Sequence, residues 1–320
     1  MNVNDKIYVA GHRGLVGSAI VNVLQQSGFN NLLTRTHREL DLTNEQAVTE
    51  FFQAEKPDHV FLAAAKVGGI LANNEYPAEF IHQNLQIQSN VIHNAWRNNV
   101  KRLLFLGSSC IYPKNCPQPI KEEYLLTGEL EPTNRPYAIA KIAGIEMCWA
   151  YNRQYGTKYM AAMPTNLYGP GDNYDLEKSH VLPALIRKMH EAKNSSAEQV
   201  TIWGTGTPKR EFLYNEDMAK ACVYLMNLGD EEYKSFISEE KAPLINIGTG
   251  EDQTIAEIAQ LVADVIGFKG KLVYDTSKPD GTMRKLLDVN RIKSLGWQPS
   301  VDLKTGIQKA YQAWLQTIPN

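Results

Sequence analysis

Lys6-Ile7-Tyr8-Val9-Ala10-Gly11-His12-Arg13-Gly14-Leu15-Val16-Gly17 runs from an apolar stretch into a turn of three glycines. The apolar residues 6–10 predict a short buried strand, and the amphipathic residues 18–27 predict a helix. Strand, glycine turn and helix together place a pyrophosphate at a helix N-terminus, where the first backbone N–H groups have no partner within the helix. In this reading Gly11 allows the tight turn and Gly14 lets the backbone approach phosphate. Gly17 lets the helix pack on the strand. His12 belongs to the conformation of the turn rather than to catalysis, and Arg13 adds a guanidinium. A glycine triplet alone says little; framed in this way it points to a dinucleotide.

Working outward, apolar runs alternate with amphipathic helices, the pattern of a parallel α/β sheet. Residues 31–36 predict a second strand. Thr43, with Gln46 three residues on, predicts the N-cap of a helix ending before Pro57. Residues 59–65 predict a third strand, whose Ala64-Ala65 leave room for a ligand. Long helices are predicted over 80–98 and 137–155, and strands over 102–109 and 159–167. After about residue 170 the rhythm changes to a polar stretch (172–179), a helix (182–192) and short strands (200–204 and 244–247). The expected fold is therefore a Rossmann-type, doubly wound parallel sheet over residues 1–170. Later segments, about 205–250, contribute to it, and a smaller C-terminal α/β substrate lobe lies mainly in 171–320.

The 320 residues carry a formal charge of −2, which argues against a nucleic-acid partner. No apolar run reaches the ~20 residues needed to cross a bilayer, and the N-terminus has no signal-peptide core, so no membrane partner and a cytoplasmic location are expected. Cys110, Cys116, Cys148 and Cys222 have neither the spacing of a metal site nor the density of a disulfide scaffold, and no metal is expected.

Tyr137 and Lys141 stand four residues apart, so a helix puts both on one face. An ammonium beside a phenol favours phenolate and lowers its pKa from ~10. Some thirty residues earlier, Gly107-Ser108-Ser109-Cys110 supplies a hydroxyl that can share the phenol's target oxygen. This is equipment for proton transfer to a carbonyl, and Cys110 suggests a second reaction beside it. After the second strand, Arg35-Thr36-His37-Arg38 precedes the first acid, Glu39. A guanidinium there suits a 2′-phosphate and has no partner in NAD, so NADPH is expected.

The glycine turn, Ser108 and the Tyr137/Lys141 pair together resemble the extended short-chain dehydrogenase/reductases that act on nucleotide sugars. Pro164-Thr165-Asn166-Leu167-Tyr168-Gly169-Pro170, Arg210-Glu211-Phe212-Leu213-Tyr214 and Leu295-Gly296-Trp297 extend the resemblance almost to the end of the chain. Three further stretches are similar to a narrower group within it, the GDP-keto-sugar epimerase/reductases. They are Ala63-Ala64-Ala65-Lys66-Val67-Gly68-Gly69-Ile70, the segment from Glu131 to Lys141, and Lys278-Pro279-Asp280-Gly281-Thr282.

The resemblance implies conversion of GDP-4-keto-6-deoxy-D-mannose to GDP-L-fucose, by C3 and C5 epimerisation and NADPH-dependent reduction at C4. The enzyme would be both oxidoreductase and isomerase. A ketone at C4 acidifies the hydrogens on both neighbouring carbons, and Ser108 and Tyr137 can hold the enolate oxygen. The resemblance makes Cys110 the base and His180 the acid of the epimerisation, Tyr137 the proton donor to C4, and Lys141 its tuner. NADP is expected along Gly11, His12, Arg13, Gly14, Leu15, Val16 and Gly17, then at Arg35, His37, Arg38, Asp41, Leu42 and Ala64. Leu106, Gly107, Ser108, Ser109 and Lys141 continue the cofactor site, followed by Pro164, Thr165, Asn166, Leu167 and His180. Lys188, Trp203, Arg210, Lys271 and Lys285 are expected at the GDP-sugar.

His37 stands where some relatives carry an arginine for the 2′-phosphate. The helices over 80–98 and 137–155 imply a homodimer. The alternatives are a 5-epimerase/4-reductase of the GDP-L-colitose type and an inactive nucleotide-binding homologue.

Overall fold

A computed structural model describes residues 1–176, 179–237, 240–278 and 280–318. Glu177 and Lys178 of the polar stretch and Pro279 of the quoted segment lie outside the described residues. The first half contains β1 (Ile7–Ala10), α1 (Leu15–Gln26), β2 (Leu32–Leu33), α2 (Glu45–Glu55), β3 (His59–Leu62), α3 (Ile70–Glu75), α4 (Pro77–Arg97) and β4 (Arg102–Leu106). It continues with α5 (Arg135–Tyr155), β5 (Tyr159–Pro164), β6 (Asn166–Tyr168), α6 (Val181–Asn194), β7 (Gln199–Trp203), β8 (Lys209–Arg210), β9 (Phe212–Tyr214) and α7 (Asn215–Asn227). Next come α8 (Asp230–Lys234), β10 (Leu244–Ile247), β11 (Gln253–Thr254) and α9 (Ile255–Ile266). β12 (Lys271–Asp275), β13 (Arg284–Lys285), α10 (Asn290–Ser294) and α11 (Leu303–Leu315) follow.

Six parallel strands form the main sheet in the order β10-β5-β4-β3-β1-β2. β1, β3, β4 and β10 are buried at every residue. That is why they are mostly apolar rather than alternating, with His59, Arg102 and Asn246 as buried polar exceptions: helices cover both faces of the sheet. From β1 the chain goes to one side for β2 and to the other for β3, so the order reverses between β1 and β3. Ligands of such sheets bind in the crevice at this switch point, beyond the carboxyl ends of the strands.

A second apolar cluster gathers α6, α9 and α11 with β7, and includes Leu182, Ile186, Ile258, Val262 and Ile307. α9 is fixed at both ends. Thr254 and Glu257 form a reciprocal capping box, and Gly267 at φ 79° closes the last turn. Burying Ile258, Val262 and Ile266 on its inner face is worth roughly 1.5–3 kcal/mol each. β10, although late in the chain, joins the main sheet beside β5.

Four predicted boundaries move. The N-cap of α2 is Asn44, whose side chain accepts from the Ala47 N–H at 3.0 Å. Thr43 is taken instead by Asp41, which accepts from its hydroxyl at 2.7 Å and its N–H at 2.9 Å. β2 keeps only two residues, because the edge strand leaves the sheet once Leu33 has paired with Tyr8. β4 stops at Leu106, and Ser109–Ile111 form a 3₁₀ turn. The strand expected over 159–167 divides at Thr165. Its N–H still bonds the Ile247 carbonyl at 3.0 Å, whereas Asn166 crosses to pair with Phe212 in a separate sheet. Among the described residues no helix is long and apolar enough to cross a membrane.

Candidate active site

The glycine turn is shaped by contacts that no side chain could satisfy. Gly11 has φ 84°, and a Cβ there would lie 2.7 Å from the Ala64 nitrogen and 2.9 Å from the Ala63 carbonyl carbon. A Cβ on Gly17 would lie 2.1 Å from the Gly11 oxygen. Both obstacles are backbone, so neither can move aside cheaply. Gly14 is the N-cap of α1 and has no side chain to occupy the helix N-terminus, leaving those N–H groups available to an anion. The buried Nδ1 of His12 has no hydrogen-bond partner. A backbone cradle closed to side chains, with an unpaired polar atom in its turn, fits a dinucleotide. Leu15 and Val16 begin α1 half-buried, and Ala64 packs against the turn.

Arg35 departs from expectation. Its guanidinium pairs with Glu55 at 2.6 Å, bonds the Thr34 carbonyl at 2.9 Å and lies over the Phe51 ring at 5.4 Å. It is therefore engaged within α2's surroundings, while Arg13 and Arg38 are exposed. His37 lies 3.7 Å from Asp41. Leu42 is buried, and its carbonyl accepts from Asn90 at 2.9 Å.

At the carboxyl end of β4, the chain passes through Leu106 and the buried Gly107 to Ser108. The Ser108 hydroxyl caps the 3₁₀ turn by accepting from the Cys110 N–H at 3.4 Å. Ser109 beside it is buried. α5 delivers Tyr137 and Lys141 to the same place. Lys141 is 3 % exposed, donates to the Leu106 carbonyl at 2.7 Å and lies 4.6 Å from the Phe105 ring centre. Burial lowers its pKa to about 8, with Cys110 acting in the opposite direction.

Tyr137 differs from the sequence reading. Burial, then the neighbouring Cys110, push its phenol well above the ordinary range, and a hydrogen bond from Ser108 only partly offsets this. Lys141 is 5.8 Å from the ring centre and already bound to the carbonyl, and it is not what governs Tyr137 here. The phenol is held protonated, which is the form that donates. Phe80, buried on α4, meets the Tyr137 ring edge to face at 6.2 Å. Nothing in the sequence marked it.

Cys110 is buried, which raises its thiol pKa. Lys285 is the main opposing influence, followed by the Ser108 hydrogen bond and Lys141. His180 is the N-cap residue of α6 and is exposed to solvent; partial desolvation of its ring, followed by Lys285, lowers its imidazole. Lys285, expected at the GDP portion, is thus close enough to influence both candidate proton-transfer groups electrostatically. Burial lowers its own pKa, while Cys110 and Cys116 raise it and Arg210 lowers it.

In the smaller lobe Trp203 is 63 % exposed, with Lys188 at 5.3 Å and Lys278 at 5.5 Å from its ring. Arg210 donates to the Thr282 carbonyl at 2.5 Å and is attracted by Asp280. Asp280, which the sequence reading did not single out, accepts from the Thr205 N–H at 2.9 Å and hydroxyl at 2.7 Å. Lys271 is not brought to this group. It pairs with Gln199 at the start of β12, whereas Trp203 pairs with Asp275 at the other end, ~13 Å along the strand. Pro164, Thr165, Asn166 and Leu167 lead from β5 into β6, where the Asn166 amide donates to the Glu211 carbonyl at 2.8 Å.

This arrangement can stabilise an oxyanion at a carbonyl, protonate that oxygen, and exchange protons on adjacent carbons. The chain matches the NAD dependent epimerase/dehydratase family over residues 7–239. It is 59 % identical over 313 residues to the putative GDP-L-fucose synthase 2 of Arabidopsis thaliana, covering 98 % of this chain and 92 % of that protein. Identity to the GDP-L-fucose synthase of Escherichia coli (strain K12) is 55 % over 315 residues, covering 98 % and 97 %. Among solved structures, the Campylobacter jejuni GDP-mannoheptose C4 reductase with NADP bound superimposes with a TM-score of 0.90 at 45 % identity, covering 98 % of this chain and 99 % of that one.

Proposed function

The chain belongs to the NAD dependent epimerase/dehydratase family, and within it we propose that it converts GDP-4-keto-6-deoxy-D-mannose to GDP-L-fucose. The observation that carries this reading is the meeting of Cys110 and Lys285 with Tyr137, Ser108 and Lys141. A reductase alone needs the last three; a thiol faced by a cation serves a separate proton transfer.

NADPH, when bound, supplies the hydride for C4. The Gly11–Gly17 turn would hold its pyrophosphate, and Arg13 and Arg38 its 2′-phosphate. Trp203, Lys188, Arg210, Asp280 and Lys285 would hold the GDP portion. Ser108 and Tyr137 donate hydrogen bonds to the C4 oxygen, stabilising the enolate formed when a neighbouring carbon loses its proton. Cys110 removes that proton, and His180 returns one on the opposite face, which inverts the centre. The cations at Lys285 and Lys141 favour the thiolate. The substrate's diphosphate adds negative charge beside Lys285 and Arg210, raising His180 towards the imidazolium that donates. Tyr137, kept protonated by burial, gives its proton to the C4 oxygen in the reduction.

We also infer a cytoplasmic homodimer. At the end of α5 the exposed Tyr155 stacks on Trp96 of α4 at 4.2 Å, an apolar edge available to a second copy. The assignment is tested by incubating the protein with GDP-4-keto-6-deoxy-D-mannose and NADPH in heavy water. GDP-L-fucose carrying deuterium at C3 and C5, with equal NADPH oxidation, is the expected NMR result. Neither incorporation nor oxidation would overturn the reading.

A further inference from the structure

Tyr112, two residues beyond Cys110, is 3 % exposed and donates its hydroxyl to Asn246 Oδ1 at 2.6 Å. Asn246 lies in β10 with no exposed surface, and its Nδ2 donates to the Ile120 carbonyl at 2.9 Å and the Asp288 carbonyl at 3.2 Å. Its backbone N–H donates to Glu122 Oε1 at 3.0 Å. The segments carrying those carbonyls are themselves joined, Ile120 N–H to the Leu286 carbonyl at 2.7 Å and Asp288 N–H to the Ile120 carbonyl at 2.8 Å. Lys285 immediately precedes Leu286.

One side-chain amide therefore ties the segment bearing the thiol, through the Tyr112 hydroxyl and the Ile120 carbonyl, to the segment that carries the facing ammonium, through the Asp288 carbonyl. No other uncharged side chain of this size offers an acceptor and two donors in that geometry.

We propose that Asn246 is a positioning residue for the epimerisation: it fixes the spacing between the Cys110 thiol and the Lys285 ammonium, with Tyr112 as its link to the thiol. The proposal rests on the reading of Cys110 as a proton-transfer group. A buried charge pair depends steeply on distance. At an effective dielectric of about 20, widening a pair from about 4 to about 6 Å raises a thiol's pKa by roughly 1. Cys110 is also faced by Lys141, Tyr137 and the Ser108 hydroxyl, and Lys285 by Arg210, Cys116 and His180. The Asn246 node borders Glu122, Asp288 and Arg291. None of these others bonds the Asn246 side chain except the Asp288 backbone carbonyl.

The test measures the Cys110 thiol directly in the full chain without substrate. In a Cys116→Ser background, iodoacetamide labelling is followed by peptide mass spectrometry across pH, with Cys148 and Cys222 fully buried. Asn246→Ala is expected to raise the apparent thiol pKa by about 1 and to slow labelling at pH 7 about 10-fold. Tyr112→Phe, which keeps the ring and loses one hydrogen bond, shifts it the same way by about half as much. NADPH affinity should stay within about 2-fold of the parent, because the node does not touch the glycine turn. Deuterium exchange at C3 and C5 should fall through kcat rather than KM.

Unchanged pH profiles in the folded variants would overturn the proposal. If Asn246→Ala fails to fold by near-UV circular dichroism, Tyr112→Phe decides alone. A shifted thiol with unaltered exchange upholds the positioning of the thiol but removes Cys110 from the epimerisation.

Discussion

The reducing half of the site and the epimerising half are built differently. Tyr137 and Lys141 sit on one face of a 21-residue helix, and Ser108 follows the strand beside it. Their relative placement comes from regular secondary structure. Cys110, His180 and Lys285 instead come from a 3₁₀ turn, a helix entry and a two-residue strand that lie far apart in the chain. A hydride acceptor's proton donor can be held by a scaffold element alone. A proton-transfer group whose charge state depends on a distant cation needs the two lobes to keep register.

If the halves are separable, substitutions should break one and spare the other. The largest effect is expected from Cys110→Ala, which should lower deuterium incorporation at C3 and C5 by about 10²–10⁴-fold, the usual contribution of a positioned proton-transfer group. NMR of the recovered sugar measures it, with NADPH binding as the control. Gly17→Ala strikes the shared platform instead. Its new Cβ would lie 2.1 Å from the Gly11 carbonyl, so a loss of about 1–3 kcal/mol in stability and a weakened NADPH complex should appear in denaturation and fluorescence titration.

The pH dependence sharpens the comparison further. Burial raises Cys110, and partial desolvation with the nearby Lys285 lowers His180. The kcat/KM profile of the exchange reaction, which reports the substrate-free enzyme, should therefore show an alkaline limb above the ordinary thiol value of ~8.5 and an acid limb below the ordinary imidazole value of ~6.5. Limbs that fall between those two values would contradict the assigned environments.

Smaller effects separate the cofactor arginines. Arg38→Ala should raise the NADPH KM about 10-fold, as expected for a lost charge-assisted phosphate contact, with less effect on NADH. Arg35→Ala should act mainly on stability through Glu55. Lys271→Ala should change the substrate KM by less than about 2-fold, since an exposed charge ~13 Å from Trp203 is screened.

Much of the reducing half was legible because its signals are periodic. A run of apolar residues, three spaced glycines and a Tyr–Lys interval each follow from strand and helix geometry. Gly11 takes the left-handed turn conformation the sequence predicts, while Gly17 lets the helix pack against the Gly11 carbonyl of the turn itself. What periodicity could not supply were contacts set by the fold alone. Arg35 looked free in sequence because its partner, Glu55, lies at the far end of a helix. The Lys141 ammonium looked free to act on the phenol because the Leu106 carbonyl that holds it is 35 residues away. Phe80 carried no local signal, Asp280 lay inside the quoted 278–282 stretch without pointing to a role, and Asn246 was one unmarked residue in a buried strand. Lys271 shared its residue type with the true neighbours of Trp203 but opened the strand at the wrong end.

The most direct test of separable halves is Tyr137→Phe, assayed in heavy water for both NADPH oxidation and deuterium at C3 and C5. The account predicts loss of NADPH oxidation with exchange retained, since Ser108 still holds the C4 oxygen and Cys110 and His180 are untouched. Loss of both, in a folded variant that still binds substrate and NADPH, would contradict it.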